Sequence, residues 1–200
     1  MQALLVVDAQ NEFSAVGLRP VPNHGKALKS IHRRVADARQ NGRPIAWIRH
    51  YNKPSESRAF VPGTWGSELS DGLGPRRGFG PEKLFEKDVF GAFTGTKLEQ
   101  WLRDMRVGSL LLVGFYTHMC VSTSAREALV RGFDVAIDLD GTGACDLDHD
   151  LLGHQSADEV RRSALLQLTN MGVTMERRSA AGQECEAIGS WQASESLLMS

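Results

Sequence analysis

Two apolar runs, "ALLVVDA" at 3–9 and "SLLLVGF" at 109–115, constrain this chain more than any other feature. Neither run alternates apolar with polar positions. Each therefore reads as a strand buried on both faces, the pattern of a parallel sheet covered by helices. The intervening segments carry helical spacing. In "HGKALKSIHRRVADARQNG", Ala27, Leu28, Ile31, Val35 and Ala38 fall on one face, and Asn41-Gly42 supplies the stop. "PIAWIRH" at 44–50 reads as a second strand and "KLFEKDVF" at 83–90 as a short one. "TKLEQWLRDMR" is a helix with Thr96 at its N-cap, and "VSTSAREALVRG" is a helix closed by Gly132. "FDVAIDLD" is a strand, and "GTGACDLDHD" a polar loop. "SADEVRRSALLQLTNMG" is a helix whose Ser156 and Glu159 are spaced as a capping box, and "VTMERR" is the last strand. The alternation predicts one α/β domain over 1–178, with a mostly parallel, Rossmann-like sheet of about six strands. A polar, alanine-rich tail follows at 179–200.

Such a sheet binds ligands beyond the carboxyl ends of its strands, near the switch in strand order. Asp8 closes the first strand, and "GFYTHMC" follows the central one, so both are expected at one crevice. The stretch 51–77 is rich in Pro, Gly and Ser, and loops of that length inside a domain are often functional. The net charge of −1 gives no basis for binding nucleic acid or an anionic membrane. No apolar stretch approaches the roughly 18 residues that span a bilayer. Cys120, Cys145 and Cys185 are odd in number, widely spaced and in no metal-ligand pattern, which suits a reducing cytoplasm.

Cys120 stands at the mouth of a helix, where free backbone N–H groups favour a thiolate and can hold an oxyanion. A cysteine nucleophile needs a base. His118 lies two residues away and His50 ends the second strand, but neither has an evident orienting partner in the sequence. Asp8, a turn residue in isolation, and Lys87, a snorkelling lysine in isolation, become a consistent set beside Cys120. The lysine would keep the carboxylate ionised, and the carboxylate would take the thiol proton.

At these residues the sequence resembles the cysteine hydrolases of the isochorismatase-like superfamily, which includes nicotinamidases, N-carbamoylsarcosine amidohydrolases and ureidoacrylate amidohydrolases. "LLVVDAQNEF" resembles the segment with the catalytic Asp, "FEKDVFGAFTGTKLEQWL" the one with the catalytic Lys, and "LLLVGFYTHMCVSTSAREALVRGFDVAIDLDGTGA" the nucleophile segment. The resemblance implies a three-layer α/β/α sandwich and an Asp8, Lys87, Cys120 triad that hydrolyses small amides or carbamoyl compounds through a thioester. It also implies a non-proline cis bond at Tyr116–Thr117, an oxyanion hole of the Thr117 and Cys120 amides, and a homodimer or homotetramer without a cofactor.

Phe13, His50, Trp65, Phe93, Tyr116 and His118 are candidates to line a small-molecule pocket. After the second strand the chain reads "IRHYNKPSES", without the Asp-x-His of metal-binding nicotinamidases, so no metal site is expected. Isochorismatases proper lack the cysteine, so Cys120 favours amide hydrolysis over vinyl-ether chemistry. A non-catalytic binding protein on the same fold is the competing reading. A redox thiol protein is a third, and it lacks a resolving cysteine near Cys120 in the sequence.

Overall fold

The computed structural model describes residues 1–177 and 186–188. The elements run β1 (Gln2–Val7), α1 (His24–Gln40), β2 (Ile45–His50), β3 (Glu82–Lys87), α2 (Leu98–Asp104) and β4 (Ser109–Phe115). A π-helical turn (Thr117–Val121) then leads directly into α3 (Ser122–Val130). β5 (Asp134–Gly143), β6 (Leu147–His149), β7 (Gly153–Gln155), α4 (Ala157–Asn170), β8 (Thr174–Arg177) and β9 (Glu186–Ile188) complete the order.

The main sheet is ordered β3-β2-β1-β4-β5-β8-β9. Its first six strands are parallel, as the apolar runs predicted, and β9 adds an antiparallel edge from within the segment read as a tail. The remainder of that tail, with Cys185, lies outside the described residues. No helix among the described residues is long and apolar enough to cross a membrane.

Period-2 alternation in β1 and β4 divides the core between two layers. Leu5, Val7, Leu110 and Leu112 face α2, α3 and α4, meeting Leu98, Leu102, Ala125 and Leu168. Leu4, Val6, Leu111 and Val113 face α1, meeting Ile31 and Val35. The result is helices on both faces of one sheet.

Two local readings differ from the sequence. Thr96 is not the N-cap of α2; Lys97 is, and the Thr96 hydroxyl accepts the Leu98 N–H at 3.3 Å while donating to the Ala92 carbonyl at 2.7 Å. The segment expected to be a polar loop instead continues β5 to Gly143 and then forms the β6–β7 hairpin. β5 carries this polar stretch because it is internally satisfied. The Asp138 carboxylate accepts the N–H groups of Asp140 (2.8 Å) and Gly141 (3.0 Å), and pairs with the buried Arg34 of α1. The register of β4 against β5 shifts between Leu112 and Gly114 to accommodate it.

Gly114 sets the height at which β4 ends beside β1. It pairs with Val7, its φ is 123°, and a Cβ there would lie 1.8 Å from the Val7 carbonyl oxygen. Only glycine allows this approach, one residue before Asp8. Gly114→Ala is expected to cost roughly 2–5 kcal/mol from backbone strain plus overpacking. Denaturant unfolding measures it, and a loss below about 0.5 kcal/mol, the scale of a neutral surface change, would contradict the geometry.

Candidate active site

Asp8, His50 and Lys87 stand at the carboxyl ends of three neighbouring strands, β1, β2 and β3. β3 is separated from β1 by β2, so the strand axes are roughly 10 Å apart at about 4.8 Å per step. The lysine is long enough to cross that gap, and its side chain passes the end of β2 to reach Asp8. Lys87 Nζ lies 2.7 Å from Asp8 Oδ2, 3.4 Å from Cys120 Sγ, 3.1 Å from the Val89 carbonyl oxygen and 3.4 Å from His50 Nδ1. Cys120 arrives from the other side of the switch in strand order, on the π-helical turn after β4. The three residues read from the sequence as a set are thus in contact. All three residues are buried, and the side chains of Asp8 and Lys87 are at 0% exposure. Asp8 also holds a left-handed φ of 49°, an uncommon conformation for a non-glycine residue that is concentrated at functional sites.

Electrostatics within this cluster favour a resting thiol. Burial pushes the Cys120 thiol up, and the Asp8 carboxylate pushes it further, against the opposing pull of Lys87. Burial works against the Lys87 ammonium, but Asp8 and Cys120 outweigh it and raise its pKa. His50 is pulled down by burial and by the Lys87 charge, which favours the neutral imidazole. The Cys120 thiol must therefore be deprotonated as it reacts.

Residues just after Asp8 fasten the long 51–81 connection over this site, a role the sequence did not reveal. Gln10 Nε2 donates to the carbonyls of His50 (2.9 Å) and Ser67 (2.7 Å), while its Oε1 accepts the His50 N–H at 2.8 Å. Asn11 Nδ2 donates to the Trp65 carbonyl at 3.0 Å. The buried Glu12 carboxylate accepts the N–H groups of Leu18 (2.6 Å) and Phe60 (3.3 Å). Gly66 packs so closely on it that a Cβ would meet Glu12 Oε2 at 1.8 Å. The available signal was the polar run "QNEF" directly after a buried strand, where uncompensated polar side chains are costly.

The candidate pocket residues divide. Phe13 and Tyr116 form one aromatic wall with their rings 4.8 Å apart, and Phe60 joins it at 5.1 Å from Phe13. The Tyr116 hydroxyl donates to the Arg19 carbonyl at 2.8 Å, and its ring borders a cleft of about 700 Å³ whose lining includes Leu18, His24 and Cys145. His118 stacks on Tyr116 at 5.4 Å, and its imidazole is pulled down by burial. His50 faces Lys87 rather than an open pocket. Trp65 is 57% exposed, on a 3-10 turn. Phe93 is corrected: it packs on Phe133 at the amino end of β5, the opposite end of the sheet from Cys120. Arg49 is engaged with Glu68 and Glu86 at the surface.

The non-proline cis bond is also corrected. It is Phe115–Tyr116, not Tyr116–Thr117. β4 ends at Phe115 and the helical turn begins at Thr117, so Tyr116 is the joint between them. Thr117 is the first residue of the turn, and its hydroxyl is 2.8 Å from that of Thr142. Among the described residues, no group of three or more His, Cys, Asp or Glu side chains is arranged to hold a metal ion.

Known proteins place this geometry in a family. The Isochorismatase domain matches residues 2–169. The Arabidopsis thaliana protein named Nicotinamidase 3 is 31% identical over 150 residues, covering 70% of this chain and 72% of its own. The Secreted isochorismatase effector Isc1 of Verticillium dahliae is 32% identical over 158 residues, covering 79% of this chain and 78% of its own. The crystal structure of an isochorismatase from Pseudomonas putida KT2440 superposes with a TM-score of 0.80 at 27% identity, over 87% of this chain and 86% of that one. With a buried acid, ammonium and thiol at the strand ends and a domain match across most of its length, this chain belongs to the isochorismatase family of hydrolases.

Proposed function

We propose that the chain is a cysteine hydrolase that cleaves the C–N bond of a small amide, ureido or carbamoyl compound through a thioester on Cys120. The observation that carries the reading is the Lys87 ammonium, buried and held between the Asp8 carboxylate at 2.7 Å and the Cys120 sulfur at 3.4 Å. The 31% identity to a protein named for nicotinamide hydrolysis supports the same chemistry.

In this scheme the Asp8 carboxylate takes the Cys120 proton as sulfur bonds to the substrate carbonyl carbon. The Cys120 thiol is itself a hydrogen-bond partner of the Asp8 carboxylate, which sets the acceptor beside the proton it takes. Lys87 stays protonated and offsets the charge on sulfur as it forms. Backbone N–H groups of the turn, that of Cys120 among them, face the oxygen of the tetrahedral intermediate. The C–N bond breaks as Asp8 returns the proton to the departing nitrogen. Water then adds to the thioester carbon, Asp8 accepts its proton, and the C–S bond breaks to restore the thiol. The products are an acid, carboxylic or carbamic, and ammonia or an amine. Phe13, Phe60 and Tyr116 provide an apolar body for the substrate.

Ammonia release across nicotinamide, ureido acids and carbamoylated amino acids tests the reading. Cys120→Ala is expected to keep the fold and to lose turnover by on the order of 10³ or more. Undiminished turnover in that variant would refute the scheme.

The ion pair predicts a separation of stability from chemistry. Asp8→Asn leaves a buried ammonium without its counter-charge and is expected to cost about 3–5 kcal/mol. Adding Lys87→Met to it is expected to recover much of that loss without recovering activity. Thermal unfolding and turnover of the two single variants and the double variant measure this, and additive losses would contradict the pairing.

The raised thiol gives a pH dependence. An acid whose folded pKa lies above its ordinary value of 9.0 stays protonated at neutral pH. The rate of Cys120 alkylation by iodoacetamide is therefore expected to keep rising into alkaline solution. A plateau already reached at neutral pH would show a standing thiolate instead.

A further inference from the structure

His50 was a candidate for the pocket lining, and its surroundings assign it differently. An ammonium has three N–H donors. Lys87 directs them at four acceptors: Asp8 Oδ2 at 2.7 Å, the Val89 carbonyl at 3.1 Å, and Cys120 Sγ and His50 Nδ1, both at 3.4 Å. Four acceptors for three N–H groups leave one N–H to be shared between sulfur and imidazole, and at a common 3.4 Å the larger sulfur is the closer-seated of the two.

The imidazole is fixed as an acceptor by a chain that leads away from the site. Asn52 Nδ2 donates to the Ala59 carbonyl at 3.1 Å, which turns Asn52 Oδ1 toward His50. His50 Nε2 is 2.8 Å from that oxygen and must carry the proton. Nδ1 is left as a lone pair facing Lys87. The backbone of His50 is locked by Gln10 on both its N–H and its carbonyl, and the Phe60 ring meets the imidazole edge-on at 5.4 Å. His50 is buried, at 9% exposure.

We propose that His50 is a positioning residue that shares the third N–H of Lys87 with Cys120 and thereby holds the sulfur as a resting thiol. As sulfur gains charge during attack it becomes the stronger acceptor, and the N–H moves from imidazole to sulfur. No proton changes owner in this step; one hydrogen bond is exchanged for another, and a charge-assisted bond is the stronger of the two. The charged and titratable groups around His50 are Asp8 after β1, Lys87 and Asp88 at the end of β3, and Cys120 after β4.

The inference rests on the reading of Cys120 as nucleophile, and its test needs no amide substrate. Alkylation of Cys120 by iodoacetamide, mapped by peptide mass against pH, is measured in the full chain carrying His50→Phe or His50→Asn. Phe keeps a ring against Phe60 and removes the acceptor, so the whole N–H passes to sulfur. At a fixed alkaline pH, Cys120 alkylation is expected to run about tenfold faster in His50→Phe, equivalent to one tenfold change in the ionisation constant. Asn places an acceptor where Nδ1 stands and is expected to leave the rate at the wild-type value. An unchanged or lowered rate in His50→Phe, or an equal rise in His50→Asn, would overturn the proposal. A second measurement serves if His50→Phe does not fold: ¹⁵N spectra of the wild-type chain labelled at histidine. They are expected to show His50 with Nε2 protonated and Nδ1 bare, and the opposite tautomer would equally overturn it. A raised alkylation rate in a chain that hydrolyses no amide would count against the hydrolase reading alone.

Discussion

A charge pair sealed inside the protein, Asp8 with Lys87 at 2.7 Å, is the constraint on which the rest of the site depends. Both side chains are at 0% exposure, where an unpaired charge is far more costly than on the surface. The pair is tolerable only because the fold delivers its partners from β1 and β3 to one height above the sheet. Gly114 sets that height on β4 by allowing backbone contact with Val7, and the register of β2 on β3 aligns His50 with Lys87. The sulfur then joins a cluster that is already neutral as a pair, which explains why it rests as a thiol rather than as a second buried anion.

That arrangement assigns different work to residues that look alike in sequence. Glu12 and Asp8 are both buried carboxylates four residues apart, yet Glu12 is occupied by the backbone N–H groups of Leu18 and Phe60. It serves as a clamp on the loops. Asp8 has the Lys87 cation at 2.7 Å and the Cys120 thiol as a hydrogen-bond partner, and it is the one placed to exchange a proton. Similarly, Arg34 and Asp138 form a buried pair that secures α1 to β5, and the group beside it is the Ser30 hydroxyl at 3.4 Å rather than a thiol. Burial of charge alone does not mark the site; burial of charge against a thiol does.

Much of this was legible in the chain. The apolar runs gave parallel strands because a strand covered on both faces has no reason to alternate. Asp8, Lys87 and Cys120 could be picked out because each is a chemically reactive type at the end of such a strand or on the turn after it. The capping box at Ser156 and Glu159 was a local pattern and is present, with the Ser156 N–H donating to Glu159 at 2.9 Å. What escaped was set by contacts across long sequence gaps. The hold of Gln10 on Ser67 spans 57 residues. Phe93 is aromatic and near Lys87 in sequence, but the chain turns after β3 and carries it to the far end of the sheet. The cis bond was misplaced by one residue because a threonine at 117 drew it forward, whereas the backbone changes direction at Tyr116. His50 was recognised as able to reach the crevice, but only its surroundings show which atom accepts and from whom.

The central claim is that Cys120 becomes covalently acylated during turnover. Acid quenching of a reaction with a hydrolysable amide, followed by peptide mass mapping, tests it most directly. The account predicts an acyl group carried on Cys120 as a hydroxylamine-labile thioester. An unmodified Cys120 during sustained turnover, or the acyl group on Cys145 instead, would contradict it.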